Sequence, residues 1–169
     1  MFHLKTLFIS ATMAGLATTA SAGDAPFTQY GEAEGWIVFV DAEKKSCLIE
    51  KSDDLGHVVQ MGLTKDRGVG YVGVFTTAET DIKRDDTQAV LISLDGNLYV
   101  GDAKGMRGNI TKGYTGGYVL SDDPQFVEDL ARKHVMNAFP EKAYGFSLNL
   151  AGTYKAIEMA RACNQEQLG

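Results

Sequence analysis

The chain has few of the side chains on which enzyme active sites most often depend. Its 169 residues include three His and two Cys. The sequence contains no G-x-S-x-G, H-E-x-x-H or C-x-x-C motif and no Walker-type loop, which are signatures of common hydrolase, redox and nucleotide-binding sites. Neither Cys has His or acidic residues grouped near it at ligand spacing, so no metal site is predicted. We therefore expect a protein that is not an enzyme, without cofactor or metal.

Long apolar runs are absent after the first 22 residues. Residues 1–22 have a single positive charge near the start, Lys5, continue with an apolar run and end in A-S-A. This order is typical of a cleaved signal peptide, and the run is shorter than the roughly 20 apolar residues that span a bilayer. We expect cleavage before Gly23, a periplasmic or secreted protein, and no membrane-spanning segment. An uncleaved anchor is the alternative.

Positive charge is scarce. Lys and Arg number 16 against 22 Asp and Glu, which gives a net charge of -6, and loss of Lys5 with the signal peptide makes the chain more acidic still. This balance argues against nucleic acid or an anionic membrane surface as the partner. The expected partner is a protein or another envelope component, and the length fits one domain.

The two cysteines are Cys47 and Cys163. In an oxidising compartment an even pair predicts a disulfide, here closing a loop of more than 100 residues. A shared metal ion and two buried free thiols are the alternatives, and the disulfide is preferred over both.

Short strand-like runs dominate what the sequence does contain. Residues 23–34 are small and polar and predict a flexible leader, and residues 35–169 predict a single disulfide-linked globular domain. Two hairpins are expected. One pairs His57–Leu63 with Val69–Thr76, and the other turns at Asp95-Gly96 within residues 88–101.

Two helices are predicted in the C-terminal third. The first begins at Pro124 after an Asp123 cap and ends before Pro140, with His134 half-buried on its apolar stripe. The second covers residues 152–163, with Cys163 on its core-facing side. The predicted fold class is α+β and mainly β: an antiparallel sheet or β-sandwich-like domain with these two helices packed on it.

A glycine pattern imitates a dinucleotide-binding site. Gly68, Gly70 and Gly73 have the spacing G-x-G-x-x-G. A dinucleotide site also needs a strand leading directly into the first Gly and a helix that begins at about the second. Four polar residues precede Gly68, and poor helix formers follow Gly73. The hairpin is therefore preferred, and a helix from Gly70 onward would restore the cofactor hypothesis.

The glycine-rich residues 101–117 form the candidate binding loop. Lys104, Arg107 and Lys112 make a local basic group there, with Tyr114 as an accompanying aromatic residue. Such a group suits an anionic ligand or an acidic partner face, and a solvated flexible loop is the alternative.

The whole pattern resembles the invasion-associated locus B family of bacterial exported proteins. The matching features are Trp36 opening a strand, Cys47, and residues 147–163, in which these residues match: Leu148, Leu150, Gly152, Ala156, Ile157 and Cys163. The resemblance implies a β-rich periplasmic or surface domain and supplies no catalytic residues. We expect an exported domain that binds a protein or envelope component. A periplasmic inhibitor or immunity protein against a toxin or cell-wall hydrolase is the alternative.

Overall fold

The computed structural model describes residues 27–63, 69–83, 85–106 and 113–168, and for residues 104–106 only the backbone. The elements are β1 Phe27–Ala33, β2 Trp36–Asp41, β3 Ser46–Ser52, β4 His57–Leu63, β5 Gly70–Thr76, β6 Thr87–Leu94, β7 Asn97–Met106, β8 Thr115–Ser121, α1 Pro124–Arg132, β9 Val135–Ala138, β10 Phe146–Asn149 and α2 Thr153–Leu168. The strands form one antiparallel sheet in the order β1-β2-β3-β4-β5-β8-β7-β6-β9-β10. The predicted fold class is confirmed.

The sheet curls around a shared core. Strand residues alternate between its faces, so Val90, Ile92 and Leu94 of β6 all point into the interior and are at most 1% exposed. His57 of β4 stacks on Phe146 of β10, with ring centroids 4.2 Å apart. Because β4 and β10 are far apart in the strand order, this contact requires the two halves of the sheet to face each other.

Both predicted hairpins are confirmed. β4 and β5 pair antiparallel along their length, with Leu63 opposite Gly70, and β5 begins one residue after the predicted Val69. β6 and β7 are joined by a two-residue turn in which Asp95 and Gly96 have φ of 47° and 93°. Positive φ at both central residues is the geometry that matches the twist of paired strands.

The predicted flexible leader is wrong for Phe27–Ala33, which forms β1 and pairs antiparallel with β2. Its polar pattern arises because β1 is an edge strand covered on one face by α2. Tyr30 Oη donates to Glu166 Oε1 at 2.7 Å, and Gly31 lies directly under Met159. The predicted signal peptide lies outside the described residues.

The first helix is shorter than predicted. The Asp123 cap is confirmed, but the helix ends at Arg132, and Val135–Ala138 forms β9 between β6 and β10. The carboxylate of Asp95 accepts the backbone N–H groups of His134 and Val135, which fixes the start of the strand. The prediction that His134 is half-buried on a helix is therefore wrong, since its side chain is 90% exposed in the preceding turn.

The second helix is confirmed and runs beyond its predicted end to Leu168. The Cys47–Cys163 disulfide is also confirmed, with Cα atoms 6.0 Å apart, which excludes the metal and free-thiol alternatives. At the start of α2, the indole Nε1 of Trp36 donates to the carbonyl of Ala151 at 3.1 Å. In the described ranges no helix is long and apolar enough to cross a membrane.

Candidate functional site

An apolar cleft of about 170 Å³ lies between the sheet and the two helices, beside the disulfide. Its lining residues are Cys47 and Ile49 of β3, Met61, Gly62 and Leu63 of β4, Gly70, Tyr71 and Val72 of β5, Ser121 of β8, Phe126, Val127 and Leu130 of α1, and Ile157, Ala160, Arg161 and Asn164 of α2. Small residues at the border, among them Ala160 and Gly70, leave space that larger side chains would fill.

The α2 wall is held to the sheet at two adjacent points. The disulfide joins Cys163 to Cys47, and the side-chain Oδ1 of Asn164 accepts the backbone N–H of Cys47 at 3.0 Å. Asn164 Nδ2 donates to the carbonyl of Ala160 one turn earlier. This side of the cleft is therefore fixed by a covalent bond and by hydrogen bonds.

The α1 wall is held by a buried carboxylate. Asp129 accepts hydrogen bonds from Asn97 Nδ2 and Tyr99 Oη, both at 2.8 Å, and from Gln125 Nε2 at 3.0 Å. These bonds, those from Asn97 and Tyr99 first, hold the pKa of Asp129 below its ordinary value. α1 thereby presents Phe126 and the rest of its apolar face to the cleft.

The cleft has little charge. Of the described residues that line it, Arg161 alone is charged. Its side chain is 66% exposed, and its Nη1 donates to Glu158 Oε1 at 2.7 Å. The Tyr71 ring lies on the opposite face of the sheet, edge-on against Tyr118 with ring centroids 5.3 Å apart, so its phenol adds no charge to the cleft. The described lining includes no His, Asp or Glu, and the cleft can therefore offer apolar contact with one cation at its border.

The candidate binding loop is only partly described. Lys104 belongs to β7, where its backbone pairs with Tyr118 and Thr87. Tyr114 is half-buried just before β8. Arg107 and Lys112 lie outside the described residues, and the loop as a binding site stays a prediction.

The glycine pattern has a packing role at Gly73. A Cβ atom there would lie 2.5 Å from Cε1 of Tyr118 and 2.7 Å from Cε2 of Phe75. The missing side chain lets the Tyr118 ring cross β5 and donate its hydroxyl to Gln60 Oε1 at 2.6 Å. Since β5 is a strand from Gly70 onward, the helix that a dinucleotide site requires is not there.

A buried polar network on the outer face of the sheet was not predicted. Glu50 is 8% exposed and accepts a hydrogen bond from Gln60 Nε2 at 2.6 Å, and Gln60 in turn binds Tyr118. Burial raises the pKa of Glu50, and the bond from Gln60 offsets this only in part. The available sequence signal was the acidic Glu50 on the same face of a predicted strand as the apolar Leu48.

Ile157 and Ala160, which belong to the predicted second helix, line the cleft. The remaining lining was not predicted as a site, because it comes from elements between Cys47 and Asn164 that meet only in the folded chain. In the part of the chain that the structure describes, no three His, Cys, Asp or Glu side chains group together as metal ligands. No family model, no curated protein and no solved structure matches the chain.

Proposed function

We propose that the chain is an exported, non-enzymatic binding domain whose cleft receives one large apolar side chain of a protein partner. The observation that carries this proposal is the cleft itself, at about 170 Å³ with an almost uncharged lining. An apolar cavity of about 150 Å³ accommodates a benzene molecule. The cleft thus has the size of one Phe or Leu side chain.

Size also favours a protein partner over a small organic ligand. Sites for drug-sized ligands usually have about 300–1,000 Å³. Protein interfaces, in contrast, concentrate binding energy in a few large side chains that fill pockets of one-residue size. Val127 of α1 borders the cleft and is 39% exposed, so apolar contact continues from the cleft onto the surrounding surface.

The cellular location is part of the proposal. A disulfide is typical of proteins in an oxidising compartment such as the periplasm. The resemblance to the invasion-associated locus B family adds the same location and the same absence of catalytic residues. Both support an envelope protein as the partner.

The test compares two leucine substitutions on α2. Ala160→Leu fills the cleft, whereas Ala162→Leu adds the same bulk at an exposed position two residues away. Purified, oxidised wild type and both variants are used to capture proteins from a cell-envelope extract, and each captured protein is then purified and its affinity measured. We expect one partner that binds wild type and Ala162→Leu and is lost with Ala160→Leu.

A second cleft variant guards against misfolding of the first. Val127→Ser removes apolar contact at the exposed border of the cleft. It should lower the affinity for the same partner at least several-fold. A partner that binds all the variants equally would refute the cleft as the site. Turnover of a defined substrate by the pure protein would refute a non-enzymatic role, and a captured cell-wall hydrolase that the protein blocks would favour an inhibitor.

A further inference from the structure

We propose that the partner carries a carboxylate next to the apolar side chain that enters the cleft, and that Arg161 binds it. This inference rests on the proposed function, because it concerns the occupant of the same cleft. The observation behind it is that one charge, that of Arg161, stands among the described residues lining an otherwise neutral cleft.

The geometry of α2 places this charge where a ligand would meet it. Arg161 follows Ala160, whose side chain borders the apolar space, and both belong to the cleft lining. The Arg161 side chain is 66% exposed, so it keeps contact with solvent. An occupant that enters from solvent therefore meets apolar lining and a cation together.

Arg161 is only partly engaged within the chain. One of its terminal nitrogens, Nη1, donates to Glu158 Oε1, and no second acceptor is seen among the described residues. A guanidinium has five N–H donors in a planar fork that matches a carboxylate. It can hold Glu158 and a second carboxylate together, or exchange the one for the other.

Lys44 does not provide the same contact. Its Nζ lies 6.0 Å from the centroid of the Tyr71 ring, which is on the opposite face of the sheet beside Tyr118, and it is bound to the buried carboxylate of Asp41 at 2.9 Å. Ser121 and Asn164, which also line the cleft, are uncharged. The charge complementarity of the cleft thus depends on Arg161 and its competitor Glu158.

The experiment uses three phenylalanine probes with the purified, oxidised full chain. N-acetyl-phenylalaninamide is uncharged, N-acetyl-phenylalanine has a terminal carboxylate, and N-acetyl-aspartyl-phenylalaninamide has a side-chain carboxylate. Their dissociation constants are measured by NMR titration at low salt. For ligands of this size we expect values of about 1 mM. The last two probes distinguish a chain end from an acidic side chain as the source of the carboxylate.

Three single-residue variants isolate the contact. Arg161→Gln removes the cation, and Glu158→Gln removes its internal competitor. Lys155→Gln is the control, since Lys155 is an exposed cation on the same helix, paired with Glu34 and outside the cleft lining.

We expect wild type to bind at least one carboxylate probe about two- to five-fold more tightly than the uncharged probe, the effect of an exposed ion pair. The preference should vanish in Arg161→Gln, increase in Glu158→Gln, stay unchanged in Lys155→Gln, and shrink at high salt. Equal binding of all three probes would overturn the role of Arg161 and leave the proposed function standing. Failure of every probe to bind would overturn both.

Discussion

Cys47 of β3 and Cys163 of α2 are joined by a disulfide across 116 residues, and Cys47 is also part of the cleft lining. The same bond therefore closes most of the chain into one loop and positions the helix that forms one wall of the cleft. Stability and binding should depend on it together.

Removing the disulfide should destabilise the fold. For a loop of this length the chain-entropy model gives about 4 to 5 kcal/mol as an upper figure. In denaturant unfolding, the double variant Cys47→Ala/Cys163→Ala should have an unfolding free energy lower than that of wild type by a large part of this figure. It should also bind the uncharged phenylalanine probe more weakly. Reductant should lower the stability of wild type and leave that of the double variant unchanged. An unchanged unfolding midpoint in the double variant would contradict the prediction.

Two glycines of the G-x-G-x-x-G pattern should respond differently to alanine. Gly73→Ala places a Cβ against the Tyr118 and Phe75 rings and should cost about 1–3 kcal/mol of unfolding free energy through overpacking. At Gly70 the nearest atoms are backbone oxygens at 3.5 and 3.8 Å, so Gly70→Ala should be neutral or stabilising by up to about 1 kcal/mol. Equal effects in chemical denaturation would argue against the packing role of Gly73.

Glu50 should make stability fall as the pH rises. Burial raises its pKa in the folded chain above the ordinary 4.5, so the unfolded chain ionises first and gains stability relative to the folded one. The stabilising contribution of the neutral acid is complete below 4.5 and is lost as the pH rises through the raised folded pKa. Unfolding free energies of wild type and Glu50→Gln across this range should show the difference, wild type minus variant, decreasing with pH. If the two unfolding free energies changed in parallel with pH, the raised pKa of Glu50 would be refuted.

Asp129 should have the opposite pH dependence. Its pKa is lowered in the fold by hydrogen bonds from Asn97 and Tyr99, so its contribution is present above the unfolded pKa and lost as the pH falls through the folded pKa. Asp129→Asn should melt at a lower temperature than wild type at pH near 7, and the gap should close in acid. Asp122→Asn, at an exposed position before α1, is the control and should melt like wild type. A gap that persists in acid would refute an ionic origin.

The features that the sequence predicted well are local. The hairpin at Asp95-Gly96 and the pairing of β4 with β5 follow from alternating side chains and turn residues within a few positions. The cap at Asp123 and the core-facing side of α2 follow in the same way from helical spacing.

The features that it missed depend on distant parts of the chain. β1 has a polar pattern because one face is open and the other is covered by α2, more than 100 residues later. Val135–Ala138 fits a helical stripe in the sequence. In the fold it forms a strand instead, because its backbone pairs with β6 on one side and with β10 on the other. The cleft is missed for the same reason, since its lining comes from six separate elements, namely β3, β4, β5, β8, α1 and α2.

The most direct test of the central claim is the position of a bound phenyl ring. Nuclear Overhauser contacts are measured between the ring protons of N-acetyl-phenylalaninamide and the protein methyl groups. We predict contacts to Ile49, Val72, Leu130 and Ile157, all in the cleft lining, and their loss in Ala160→Leu but not in Ala162→Leu. Contacts found instead at Leu98 and Val100, which are exposed on β7 outside the cleft, would contradict the account.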